Sequence, residues 1–158
     1  MWFPSPLRKG DRAALLAPAS PFADEARLDL SVRALTDAGL EPVLFKSARA
    51  ADGYLAAPDA VRAADLNRAF ADDSIRAVFC MRGGYGCLRI LDLLDYSLIR
   101  AHPKLLCGFS DVTVLSMALA ARCGMSTLHA PMPFRWPELT KSAGARLKNS
   151  LFASTAAE

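Results

Sequence analysis

Three short stretches of the chain carry residues whose types and spacing can do chemistry. The first is Arg82-Gly83-Gly84-Tyr85-Gly86. Glycine lets the backbone come close to a ligand, so this turn can present N–H groups to an anion or a developing oxyanion. It can equally be a tight turn that needs positive φ. It is not a dinucleotide fingerprint, because Arg89 stands at the third glycine position, and no Gly-Lys-Ser/Thr follows to make a P-loop. The second is Gly108-Phe109-Ser110-Asp111-Val112. A serine at a strand-to-helix turn can be a nucleophile, with the N–H of Asp111 aimed at the oxyanion of an acyl transfer from the helix N-terminus. The G-x-S-x-G elbow is only half present, since Val112 replaces its last glycine. Spacing alone favours the plainer role, a serine N-cap whose removal costs about 1 kcal/mol. The third is His129-Ala130-Pro131. His129 can be the base of a Ser110–His129 dyad, although a histidine at a strand end is more often a structural hydrogen-bonding group. His102, just before Pro103, reads as solvated or capping. The residues alone give a candidate nucleophile and a candidate oxyanion hole, without a convincing acid–base partner.

The elements that must position these stretches alternate. Ala13–Ala17, Pro42–Phe45, Arg76–Met81, Leu105–Cys107 and Ser126–His129 read as strands, the first being a continuous apolar run of the kind buried on both faces. Between them the pattern predicts helices. One runs from about Glu25 to Ala38, capped by Asp24 and ended by Gly39; another runs from Pro58 to Asp72. Shorter ones follow at Leu88–Leu94 and Tyr96–His102, and a longer one from Asp111 to Arg122, ended by Gly124. Lys46–Ala57 reads as a loop, Pro131 to Pro137 as an irregular connection, and Glu138 to about Phe152 as a last helix. This alternation is the signature of an α/β fold, a mostly parallel sheet with helices on both faces. In such a sheet ligands bind outside the carboxyl ends of the strands. Pro18-Ala19-Ser20, Arg82–Gly86, Gly108–Asp111 and His129-Ala130-Pro131 all fall on that rim.

Composition narrows the function classes. The chain has 158 residues, 53% hydrophobic and 22% charged, enough to bury one core and too apolar for intrinsic disorder. Its net charge of +3 is mild and scattered, which argues against nucleic acid. The longest apolar stretch, Val112–Ala121, is about half a membrane span. Cys80, Cys87, Cys107 and Cys123 show no C-x-x-C spacing and have only two histidines to join them, so no metal site is expected. They read as buried free thiols in a reducing cytosol. Arg8 to Ala19 imitates a signal peptide, but Asp11 and Pro18 interrupt it, so a first strand and a cytoplasmic protein are expected. The reading is one domain ending in a weakly ordered tail, Ala153–Glu158.

Arg82–Tyr96, Pro103-Lys104 and Gly108-Phe109-Ser110-Asp111-Val112-Thr113 together closely resemble the LD-carboxypeptidases. Lys9-Gly10-Asp11-Arg12, Ala17-Pro18-Ala19-Ser20-Pro21 and His129-Ala130-Pro131-Met132 resemble the same family over nearly the whole chain. The resemblance implies a flavodoxin-like N-terminal domain of a serine peptidase. That enzyme cleaves an L,D-peptide bond and releases a C-terminal D-amino acid, typically D-alanine from cytoplasmic murein tetrapeptide. Ser110 matches the nucleophile, and the N–H groups of Gly84 and Asp111 match the oxyanion hole. Arg82, Tyr85 and His129 are possible substrate-binding residues, with Arg82 or Arg135 able to hold the substrate carboxylate. No cofactor is implied, and a homodimer is. Phe109 stands where tyrosine is usual, and Ala130 where glycine is usual. The family's catalytic Glu and His come from a C-terminal domain. Residues 1–158 are therefore expected to be the nucleophile-bearing domain with the C-terminal domain absent, inactive alone and self-associating through apolar Met132, Phe134 and Trp136. Alternative readings are a non-catalytic binding or regulatory module that retains the pocket and, more weakly, a small nucleotide-binding domain.

Overall fold

A computed structural model describes residues 1–22 and 24–152. Five strands, β1 (Arg12–Leu16), β2 (Glu41–Leu44), β3 (Ile75–Cys80), β4 (Leu105–Gly108) and β5 (Leu128–His129), form one sheet in the order β2-β1-β3-β4-β5. Every neighbouring pair is parallel. The α-helices are α1 (Glu25–Asp37), α2 (Asp59–Ala71), α3 (Tyr96–Ala101), α4 (Thr113–Cys123) and α5 (Lys141–Phe152). Chain order reverses between β1 and β3, the switch point at which a flavodoxin-like sheet opens its crevice.

The apolar run of β1 is buried on both faces because its side chains alternate between two cores. Ala14 and Leu16 join Leu66 and Phe70 of α2, Ile99 of α3 and Leu115 and Leu119 of α4. Ala13 and Leu15 join Leu28 and Leu35 of α1 and Leu151 of α5. Asp24 caps α1 as expected, its carboxylate accepting the Ala26 N–H at 2.8 Å. Gly124 ends α4 in the left-handed conformation, φ +64°.

Several elements differ from the sequence expectation. Leu88–Leu93 is a 3₁₀ helix, and a 3₁₀ turn, Ser110–Val112, precedes α4. The loop after β2 contains another, Lys46–Ala48. β5 is only two residues long, because Ser126 pairs instead with the N-terminal segment, donating its N–H to the Trp2 carbonyl at 2.9 Å. The last helix begins at Lys141 rather than Glu138, since Pro133–Glu138 is a 3₁₀ helix with Pro137 inside it.

That 3₁₀ segment also corrects the expected apolar face. Met132 is 2% exposed, Phe134 packs edge-on against Phe22 at 5.0 Å, and Trp136 does the same against Phe79 at 5.6 Å. The Trp136 indole N–H donates to the Pro131 carbonyl at 2.8 Å, so the ring is both packed and hydrogen-bonded. Met132 and Phe134 join the core shared with α2 and α4, and Trp136 joins the core on the α1 side. Ala153–Glu158 lies outside the described residues. No described helix is long and apolar enough to cross a membrane.

Candidate active site

The turn after β4 is sharp because of two neighbouring residues. A side chain at Gly108 would meet Val112 Cγ1 at 2.8 Å and Cys80 Cβ at 3.2 Å, so only glycine fits there. Phe109 is extended, and Ser110 then adopts φ +63°. Among the described residues Ser110 is the only non-glycine with positive φ. Such a conformation costs about 1–3 kcal/mol and clusters at functional sites. A helix N-cap has extended backbone and a side-chain bond into the first turn; Ser110 has neither, which corrects the capping role that spacing favoured. Its side chain is exposed and makes no hydrogen bond among the described residues.

The glycine-rich turn after β3 lies against this serine. A Cβ at Gly83 would sit 2.9 Å from Ser110 Cβ and 3.1 Å from the Asp111 nitrogen. Gly83 is therefore the point of closest approach, a role that the sequence reading gave to no residue. Gly84 has φ +97°, and a side chain there would meet Ser20 Oγ at 2.4 Å. The turn thus needs both positive φ and close backbone approach. Ser20, buried in the loop after β1, grips it from two sides. Its N–H donates to the Gly83 carbonyl at 3.1 Å, and its hydroxyl accepts the Tyr85 N–H at 3.2 Å. The Asp111 carboxylate accepts the Cys87 N–H at 2.9 Å. The N–H groups of Gly84 and Asp111 find no acceptor among the described residues. The same holds for the N–H groups of Gly83 and Gly86, so turn and elbow together present several unpaired donors, a suitable provision for an oxyanion.

The other expected site residues are placed less uniformly. The Arg82 guanidinium donates to the Pro21 carbonyl at 2.7 Å, so it braces the loop after β1. Tyr85 is half exposed, with its ring 6.1 Å from that of Tyr54. His129 is exposed at the end of β5, its ring 6.4 Å from that of Phe109. The two share a small hollow of about 250 Å³ with Ala130 and Pro131. No hydrogen bond joins His129 to Ser110 among the described residues, so the Ser110–His129 dyad is not formed. Arg135 is paired with Glu138 at 2.8 Å, and His102 with Asp73 at 2.9 Å.

Sequence reasoning missed Arg62. It is among the largest fully buried side chains of the described residues, on the first turn of α2, where charged residues usually face water. Its guanidinium donates to the carbonyls of Ala57, Pro18 and Gly86 and to the Asp59 carboxylate. Arg89 reaches the same carboxylate at 2.9 Å, and its hydrogen bond, helped by Arg62, holds Asp59 below the usual carboxylate range. Below the turn, burial pushes the Cys80 and Cys87 thiols upward, and that of Cys107 up to about 12, so none is a ready nucleophile.

A strained serine thus stands beside a glycine-rich turn with unpaired N–H groups. Residues 13–130 match the family described as the LD-carboxypeptidase N-terminal domain. The chain belongs to the LD-carboxypeptidase family. It is 44% identical over 129 residues to a probable murein peptide carboxypeptidase of Bacillus subtilis (strain 168), an alignment covering 82% of this chain and 40% of that protein. It is 40% identical over 122 residues to the murein tetrapeptide carboxypeptidase of Pseudomonas aeruginosa, covering 77% and 39%. The crystal structure of an MccF-like protein from Bacillus anthracis str. Ames superposes with a TM-score of 0.90 at 28% identity, over 96% of this chain and 47% of that one. The chain thus spans less than half the length of these LD-carboxypeptidase relatives. The matched region takes in Ser20, the glycine-rich turn, Ser110 and His129.

Proposed function

We propose that the chain is the nucleophile-bearing, N-terminal domain of a serine-type LD-carboxypeptidase, with Ser110 as the nucleophile. The left-handed backbone of Ser110 carries the reading, because it holds the hydroxyl out of the helix cap and beside the glycine-rich turn. Ser110 Oγ attacks the carbonyl carbon of the bond between an L-centre and a terminal D-amino acid. The carbonyl oxygen becomes an oxyanion and accepts the N–H groups of Gly84 and Asp111. Collapse expels the D-amino acid, its nitrogen taking up the proton that Ser110 gave up, and leaves an acyl-serine, which water hydrolyses.

The Ser110 proton needs a base, and no carboxylate or imidazole hydrogen-bonds this hydroxyl among the described residues. The family's catalytic Glu and His, carried on its C-terminal domain, supply that step. Residues 1–158 alone are then inactive. The names of the curated relatives support a murein peptide, with D-alanine as the leaving group. A cytoplasmic homodimer with a place in cell-wall recycling belongs to the same reading.

The test pairs this chain with a separately produced C-terminal domain from an LD-carboxypeptidase and measures D-alanine release from an L,D-tetrapeptide. Release by the pair that disappears with Ser110→Ala supports the reading. Release that survives Ser110→Ala overturns it.

A further inference from the structure

The chemistry above makes no use of Arg62, yet its side chain is wholly buried. A buried guanidinium is costly unless its N–H groups are matched. Here Nε donates to the Ala57 carbonyl at 2.9 Å. One terminal nitrogen donates to the carbonyls of Pro18 and Gly86, the latter at 3.0 Å, and the other to Asp59. These partners belong to three segments: the loop after β1, the approach to α2, and the far end of the glycine-rich turn.

Two of those segments also meet through Ser20, and the turn meets Ser110's neighbour through Asp111. Within residues 83–87, the carbonyls of Gly83 and Gly86 and the N–H groups of Tyr85 and Cys87 therefore all have partners. Among the described residues the N–H groups of Gly83, Gly84 and Gly86 are left open. A side chain at Gly86 would meet an Arg62 terminal nitrogen at 2.9 Å, so fork and turn are in direct packing contact as well. A planar fork can hold several carbonyls at fixed separation, whereas a lysine ammonium is a point charge on a flexible stem.

We propose that Arg62 is a positioning residue that locks the glycine-rich turn against the Ser110 elbow by holding the Pro18 and Gly86 carbonyls on one guanidinium. It touches no reacting atom. Its effect on turnover rests on the function proposed above, but its effect on the turn does not.

Amide hydrogen exchange on the ¹⁵N-labelled 158-residue chain tests this without any turnover. In Arg62→Lys the Tyr85 and Cys87 amides should exchange about tenfold faster or more, while the sheet amides of Ala14, Val78 and Leu106 keep their rates. Unchanged turn amides would overturn the proposal, as would turn and sheet accelerating by one common factor, the mark of a merely stabilising residue. If Arg62→Lys fails to fold, Asp59→Ala decides. It removes one anchor of the fork from its partly exposed side and should give a weaker, still turn-confined acceleration; no change would overturn the proposal. In the chain paired with a C-terminal domain, Arg62→Lys should lower kcat with little change in KM. A loosened turn with kcat unchanged would overturn the oxyanion role of the turn and leave its positioning by Arg62 standing.

Discussion

The carboxylate of Asp111 accepts the backbone N–H of Cys87 at 2.9 Å, tying the residue after the candidate nucleophile to the far end of the glycine-rich turn. One side chain thus ties the Ser110 elbow to the glycine-rich turn. Asp111→Ala should destabilise the chain by about 1–3 kcal/mol, because the part-buried Cys87 N–H loses its acceptor. Asp111→Asn keeps an oxygen there and should lose less than about 1 kcal/mol. Urea unfolding of the two variants measures the difference.

Ser110 combines a left-handed backbone with no capping bond. Ser110→Ala should therefore leave stability within about 0.5 kcal/mol, below the cost of a lost cap. Ser110→Gly should raise stability by up to about 1 kcal/mol, since glycine adopts positive φ without strain. The order Gly above Ala in urea midpoint is the expected result.

Gly83 has an ordinary φ, so its need for glycine is one of space alone. Gly83→Ala pushes a methyl against Ser110 and the Asp111 nitrogen. A displacement of about 1 Å at a reacting group costs about 100-fold in rate. The variant, assayed with a C-terminal domain, should lose about that much kcat.

Asp59 is held below its ordinary pKa of 3.8 by Arg89 and Arg62. A depressed carboxylate adds stability that is present above the ordinary range and lost as pH falls through the folded-state value. Asp59→Asn should cost about 1 kcal/mol at pH 7, given its partial exposure, and nothing once the wild-type carboxylate is protonated. Urea titrations at neutral and acid pH measure the closing gap.

Much of the fold was legible because local pattern and tertiary burial agree. The continuous apolar run of β1, the Asp24 cap and the Gly124 stop each rest on a few adjacent residues. The elbow was legible as a strand-to-helix turn, but its φ was not, because Gly108-Phe109-Ser110 suits a cap as well as a strained turn. Gly83 and Arg62 were not legible. Their roles come from contacts with Ser110 and with Pro18 and Gly86, far away in sequence. A charged residue on a mixed helix such as α2 reads as surface, and only the loops folded over it make Arg62 a core residue. Trp136 was misread because three large apolar residues among prolines look unpartnered until α1 and β3 are packed against them.

Under the proposed function, Ser110 is a nucleophile whose base lies outside the described residues. D-alanine release from an L,D-tetrapeptide by the purified 158-residue chain tests it most directly. An unactivated serine is a weak nucleophile, and losing the base costs nearly as much as losing the serine. No release should be measurable from the chain alone, and release should appear once a C-terminal domain is added. Turnover by the chain alone at about 1 per second or faster, abolished by His129→Ala, would contradict it.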